Sequence, residues 1–155
     1  MVGYEALLRR QTPRGTRGAA ELFALARQSG FTEQLDEWVV RTATQQSLEW
    51  RRAGFVSPIA VDVSGLRLHD RRLVELMHEL VALDPDLPGL MVFEVPELAL
   101  ALDAEHALRT LRDLRAMGFT LHIGAFGTGY SDLTRMSRLP VSALKIDRSF
   151  VKNTP

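Results

Sequence analysis

The 155-residue chain contains no cysteine, which excludes disulfides, thiolate metal sites and thiol nucleophiles. It also lacks an apolar run of about 18 residues, the minimum for a membrane-spanning helix. The closest stretch, residues 89–102, is interrupted by Glu94, Pro96 and Glu97. Neither charge sign is in excess: 19 basic and 19 acidic side chains cancel. No overall field therefore draws the chain toward a nucleic acid polymer or an anionic lipid surface. A basic-then-apolar leader is missing from Met1-Val2-Gly3-Tyr4-Glu5, so a cytoplasmic location is the expectation. Lysine is scarce, at two residues against 17 arginines, which makes the placement of Lys145 noticeable. What remains is ordinary globular composition, 46% hydrophobic and 25% charged, and it excludes disordered, collagen-like and coiled-coil classes. One domain over residues 1–155 is the natural count. A closed (β/α)8 barrel takes about 250 residues, so this chain has room for only part of one.

Four short β-type runs punctuate the sequence: 59–63, 90–95, 119–123 and 143–146. A further strand is expected between Gly3 and Leu8. Helical spacing fills the gaps. Leu73, Leu76, Met77, Leu80 and Val81 form one i, i+3, i+4, i+7, i+8 stripe, and Ala104, Ala107, Leu108, Leu111 and Leu114 form another. A longer helix is predicted from Gln34 to Ala53, with Leu35, Trp38, Val39 and Ala43 facing inward. A shorter one is predicted from Ala19 to Ser29. Strands and helices alternating at this interval predict βαβ units and a mostly parallel sheet. Several runs are apolar enough for helices to cover both faces. Arg9, Arg10, Arg14 and Arg17 surround Pro13 and Gly15, which reads as a solvated loop or as a phosphate contact.

Working groups of parallel α/β folds collect at the C-terminal ends of strands. Glu5, Asp62, Ser64, Glu94, Glu97, Lys145 and Asp147 all fall there. The run ending at Ile123 is the exception, since Gly124 and Ala125 follow it. A charge inside a covered sheet is costly unless it is paired or bound to a metal. Two readings of Glu5, Glu94 and Lys145 therefore stand side by side. One is a set of internal salt bridges at the mouth of the sheet. The other is a carboxylate cluster for hard divalent cations with a lysine beside it. Gly127-Thr128-Gly129 lacks the third glycine of a dinucleotide fingerprint, because residue 132 is Asp, and reads as a turn into a short helix capped near Ser131. The histidines at 69, 78, 106 and 122 show no metal-ligand spacing.

Taken together, these segments resemble the EAL domain, the cyclic di-GMP phosphodiesterase family. Tyr4-Glu5-Ala6-Leu7-Leu8-Arg9 resembles the signature that names it. Glu21-Leu22-Phe23, Glu37-Trp38-Val39, Val61-Asp62-Val63-Ser64, Phe93-Glu94-Val95-Pro96-Glu97, residues 126–131 and residues 144–151 follow in the family's order. The resemblance implies a TIM-like barrel whose first strand is antiparallel, two Mg2+ or Mn2+ ions, and hydrolysis of cyclic di-GMP to the linear dinucleotide. It implies that Glu5 and Glu94 are metal ligands and that Asp62 holds the position of the family's asparagine ligand. Lys145 would orient the attacking water, and Arg9 would meet a substrate phosphate.

Two departures qualify that expectation. The family's paired aspartates fall on Gly124 and Ala125, which cannot bind metal. The chain also matches from the family's second strand to just past Phe150-Val151, so the expected fold is a partial TIM-like (β/α) barrel of about five strands. An open sheet leaves two edges with unpaired backbone groups and one face of the core wet. A second copy or a partner domain is the expected cover. Three functional classes follow: a catalytically inactive EAL domain acting by nucleotide binding or interaction, a weak one-ion phosphodiesterase, and a fragment of a longer EAL protein with no function alone.

Overall fold

The computed structural model describes residues 3–102, 104–127 and 139–150. The expected cap at Ser131 and the Thr128-Gly129 turn lie outside the described residues. Strands β1 (Tyr4–Ala6), β2 (Arg9–Thr12) and β3 (Gly15–Gly18) lead into helices α1 (Ala19–Gln28) and α2 (Thr32–Arg52). Then come β4 (Ile59–Asp62), α3 (Arg72–Leu83), β5 (Met91–Pro96), α4 (Ala99–Leu102), α5 (Ala104–Ala116), β6 (Thr120–Phe126) and β7 (Ala143–Ile146). Five strands form one sheet in the order β1-β4-β5-β6-β7, and every neighbouring pair is parallel.

The strand alternation assigns the two faces. Val61, Phe93, Val95 and Leu121 are fully buried in one core with Leu111 and Leu114 of α5 and Leu73 and Met77 of α3, and Ile123 is fully buried too. Phe93 and Phe119 pack at 5.2 Å between ring centres. The intervening residues Ala60, Thr120 and His122 are only partly buried. Paired residues of a parallel sheet share a face. The registers Asp62↔Glu94 and Glu94↔His122 therefore put these side chains on the opposite face from Phe93. On that face the central strand stays buried at Val92 and Glu94 while the flanking strands are only partly covered, and the helices of the common core pack on the other side. The expectation of runs buried on both faces holds for β5 and is corrected for β4 and β6. The outer strand β7 is exposed at all four residues.

Two local expectations change. The arginine cluster is an antiparallel hairpin, β2 with β3, not an irregular loop. Its turn closes because Thr12 Oγ1 donates to the Gly15 carbonyl at 2.7 Å and Gly15 adopts φ 113°, a region that favours glycine. The buried stripe of α2 is also rotated from the one the apolar pattern predicts. Ala43 is buried as predicted and Leu35 and Val39 are partly buried, but Trp38 is 56% exposed, and Asp36, Val40, Thr44 and Ser47 are buried as well. The reason is a polar anchor. The Ser64 hydroxyl donates to the Asp36 carboxylate, and the buried Arg67 donates to the Glu33 carbonyl at 2.6 Å. These bonds fix the helix by its polar side against the segment that follows β4.

Candidate functional site

Five strand ends converge on a cavity of about 470 Å3 at the C-terminal mouth of the sheet, lined by Glu5, Asp62, Glu94, Gly124, Ala125 and Lys145 among others. Each arrives by a short route from the sequence. Glu5 is the central residue of β1. Asp62 ends β4, Glu94 sits in β5 opposite it, and Lys145 is in β7. The sequence reading therefore grouped four residues that the fold does bring together.

Lys145 lies at the centre of the group. Its ammonium stands 2.8 Å from Glu5 Oε2, 2.9 Å from Glu94 Oε2 and 3.2 Å from Glu94 Oε1. The Glu94 carboxylate is nearly buried, with its side chain 7% exposed, whereas the Glu5 and Lys145 side chains are 39% and 45% exposed. Burial alone would lower the pKa of Lys145. Hydrogen bonds and charge from Glu5 and Glu94 more than reverse this and hold it above its ordinary value. The Asp62 carboxyl is pushed upward, first by burial and then by the negative charges of Glu94 and Glu5, with Lys145 opposing.

One oxygen from each of Glu5, Asp62 and Glu94 can be chosen so that all lie within 4.8 Å of one another. Three carboxylates offer the oxygen donors that a hard divalent cation takes, and the Lys145 ammonium already contacts two of them. Among the described residues no second group of three such ligands occurs, and Gly124 and Ala125 line the same cavity without a side-chain oxygen. The backbone there is distinctive. The β6–β7 register shifts between Ile123 and Phe126, and Ala125 takes φ 51°, a left-handed conformation in which Asp and Asn are enriched. A Cβ added at Gly124 would meet Glu94 Oε2 at 3.7 Å, an ordinary contact.

Arg9 is not in the mouth. It opens β2 and lines the adjoining groove of about 330 Å3 beside Trp38, while Glu5 borders both spaces. Asp147 lines the mouth and accepts the Ser149 backbone N–H at 2.8 Å, closing a 3-10 turn. Glu97 accepts the Gly127 N–H at 2.8 Å and ties the end of β5 to the loop after β6. His69 has both ring nitrogens buried with no hydrogen-bond partner among the described residues, His122 borders the concave face below the mouth, and His78 and His106 are exposed. The supporting Asp36–Ser64 contact has no marker in the sequence beyond a charge on the buried side of a helix.

The sequence model of the EAL domain matches residues 1–155. The chain belongs to the EAL domain family. It is 37% identical over 153 residues to MucR of Pseudomonas aeruginosa, a bifunctional diguanylate cyclase/cyclic di-GMP phosphodiesterase, covering 97% of this chain and 22% of MucR. It is 32% identical over 158 residues to the cyclic di-GMP phosphodiesterase PdeR of Escherichia coli, covering 96% of this chain and 23% of PdeR. Among solved structures, the PaMucR phosphodiesterase in its c-di-GMP complex superposes with a TM-score of 0.89 at 37% identity, covering 97% of this chain and 62% of that one. The chain thus spans about a fifth of these two curated relatives and under two thirds of the PaMucR structure. As an EAL domain it is related to cyclic di-GMP phosphodiesterases, and its α/β half-barrel sheet is TIM-barrel-like. No described helix is long and apolar enough to cross a membrane.

Proposed function

We propose that this chain is a catalytically inactive EAL domain that receives cyclic di-GMP at the mouth without hydrolysing it. The observation that carries this reading is the pair Gly124 and Ala125 on the cavity wall beside Glu94. Phosphodiester cleavage by two ions needs carboxylates that hold both, and positions 124 and 125 supply none. If a single Mg2+ or Mn2+ enters, Glu5, Asp62 and Glu94 are the residues to hold it. Such an ion, when bound, lowers the pKa of a bound water and neutralises phosphate charge. Lys145, already at the carboxylates, would orient a water or a phosphate oxygen. Arg9 would take a phosphate reaching into the adjoining groove, where a guanidinium can bind two oxygens at once. The PaMucR complex with c-di-GMP supports the choice of ligand.

The cluster of three carboxylates supports a second reading, a weak one-ion phosphodiesterase. The open outer strands β1 and β7 support a second copy or a neighbouring domain as cover. Two measurements test the main reading. Calorimetry with cyclic di-GMP, with and without Mg2+, should give binding. Incubation of concentrated protein with cyclic di-GMP and Mn2+ should give no linear dinucleotide above a Lys145→Ala control. Turnover well above that control establishes the one-ion enzyme instead. No heat of binding removes the nucleotide role.

A further inference from the structure

The salt bridge between Glu5 and Lys145 joins the two outermost strands of the sheet. Four strand-to-strand steps separate β1 from β7. At ~4.8 Å per step a flat sheet would hold them roughly 19 Å apart, farther than a lysine and a glutamate side chain reach together. The sheet is therefore curled until its edges approach across the mouth. Lys145 also donates to both oxygens of Glu94 on the central strand β5, whose carboxylate is nearly buried. A buried carboxylate needs a cation beside it, and here that cation belongs to the chain.

We propose that the Lys145 ammonium is the resident cation of the mouth, clasping β1, β5 and β7 together through Glu5 and Glu94 where a divalent ion would otherwise sit. This rests on the reading that the site is an EAL mouth short of carboxylates. Glu5 and Glu94 would have to give up the ammonium before serving an ion, so added metal should contribute little while Lys145 is present.

The experiment is a Mn2+ titration by calorimetry, together with melting curves in EDTA and in 1 mM Mn2+, on the wild type, Lys145→Met and Lys145→Arg. No nucleotide is present, so the outcome is independent of cyclic di-GMP binding and of turnover. The wild type and Lys145→Arg should melt at the same temperature in both buffers. Lys145→Met should melt lower in EDTA, bind Mn2+ at least ten times more tightly than the wild type, and recover several degrees with the ion. A wild type that binds Mn2+ as tightly as Lys145→Met, or more tightly, overturns the proposal. Should Lys145→Met fail to fold, the wild type decides alone. A Mn2+-induced rise in its melting temperature overturns the clasp, and an unchanged melt up to 1 mM supports it.

Discussion

Restoring the two acids, as Gly124→Asp with Ala125→Asp, should turn the mouth into a site that depends on metal. Sterically the change is admissible. The Cβ position at Gly124 stands 3.7 Å from Glu94 Oε2, and Ala125 already holds φ 51°, where aspartate is better tolerated than most residues. Electrostatically it is costly without metal. A new carboxylate roughly 5 Å from Glu94 repels it by about 3 kcal/mol at an effective dielectric near 20, and less where water enters the open mouth. Two such groups, with one ammonium between the existing glutamates, should destabilise the metal-free variant by about 2–4 kcal/mol. For a domain of this size that lowers Tm by roughly 5–15 °C. A Mn2+ ion at 100 times its Kd restores about 2.7 kcal/mol. The assay is thermal unfolding in EDTA against 1 mM Mn2+. The variant should melt well below the wild type in EDTA and regain most of the difference with the ion. Equal Mn2+ responses in variant and wild type would refute the reasoning, because residues 124 and 125 would then not be the missing ligands.

Other outcomes follow from single residues. Asp62 has its pKa raised in the folded chain, so ionisation weakens the fold. That penalty is absent below its ordinary value of 3.8 and complete above the folded value. Asp62→Asn should therefore raise Tm at pH 7, and the gain should fade as pH drops toward 3.8, as pH-dependent melting curves will show. Asp36 is buried against Ser64, so Ser64→Ala leaves a carboxylate that has lost its hydroxyl donor. Denaturant unfolding should register a loss of about 1–3 kcal/mol. Leu111 is fully buried between α5 and the sheet, and Leu111→Ala should cost about 2–5 kcal/mol in the same measurement.

Much of this site was legible because period-two and period-3.6 patterns are set by burial, and burial is strong here. Charged residues at the C-terminal ends of the apolar runs placed Glu5, Asp62, Glu94 and Lys145 at one mouth, whereas their common face follows only from the strand registers. The helix stripes at Leu73 and Leu111 were legible for the same reason. Trp38 misled because hydrophobicity is an imperfect guide to orientation when a polar contact competes. The Asp36–Ser64 bond turns α2 so that a carboxylate is buried and an indole faces water. The hairpin at Arg9–Gly18 was hidden because its strands bury nothing, leaving only the Pro13–Gly15 turn as a signal.

The pairing of Lys145 with Glu5 and Glu94 stood in the sequence only as one of two readings, and the fold shows that both ion pairs form. Two lysines among 17 arginines make the residue stand out, but its partners lie 140 and 51 residues away on strands that meet only when the sheet curls. The two readings open at the start, internal salt bridges or a carboxylate cluster, draw on the same residues, since Glu5 and Glu94 both pair with Lys145 and lie in the group of three carboxylates. Lys145 bridges Glu5 and Glu94, and its single positive charge offsets one of the three carboxylates grouped there. With Gly124 and Ala125 on the wall, the mouth carries the Lys145 ammonium among its described lining residues. An arginine could keep the charge, but its planar fork fixes where its donors point, whereas a lysine's compact ammonium can serve both carboxylates from one point. On that ground Lys145→Arg should retain the metal-independent melt yet sit slightly below the wild type in Tm.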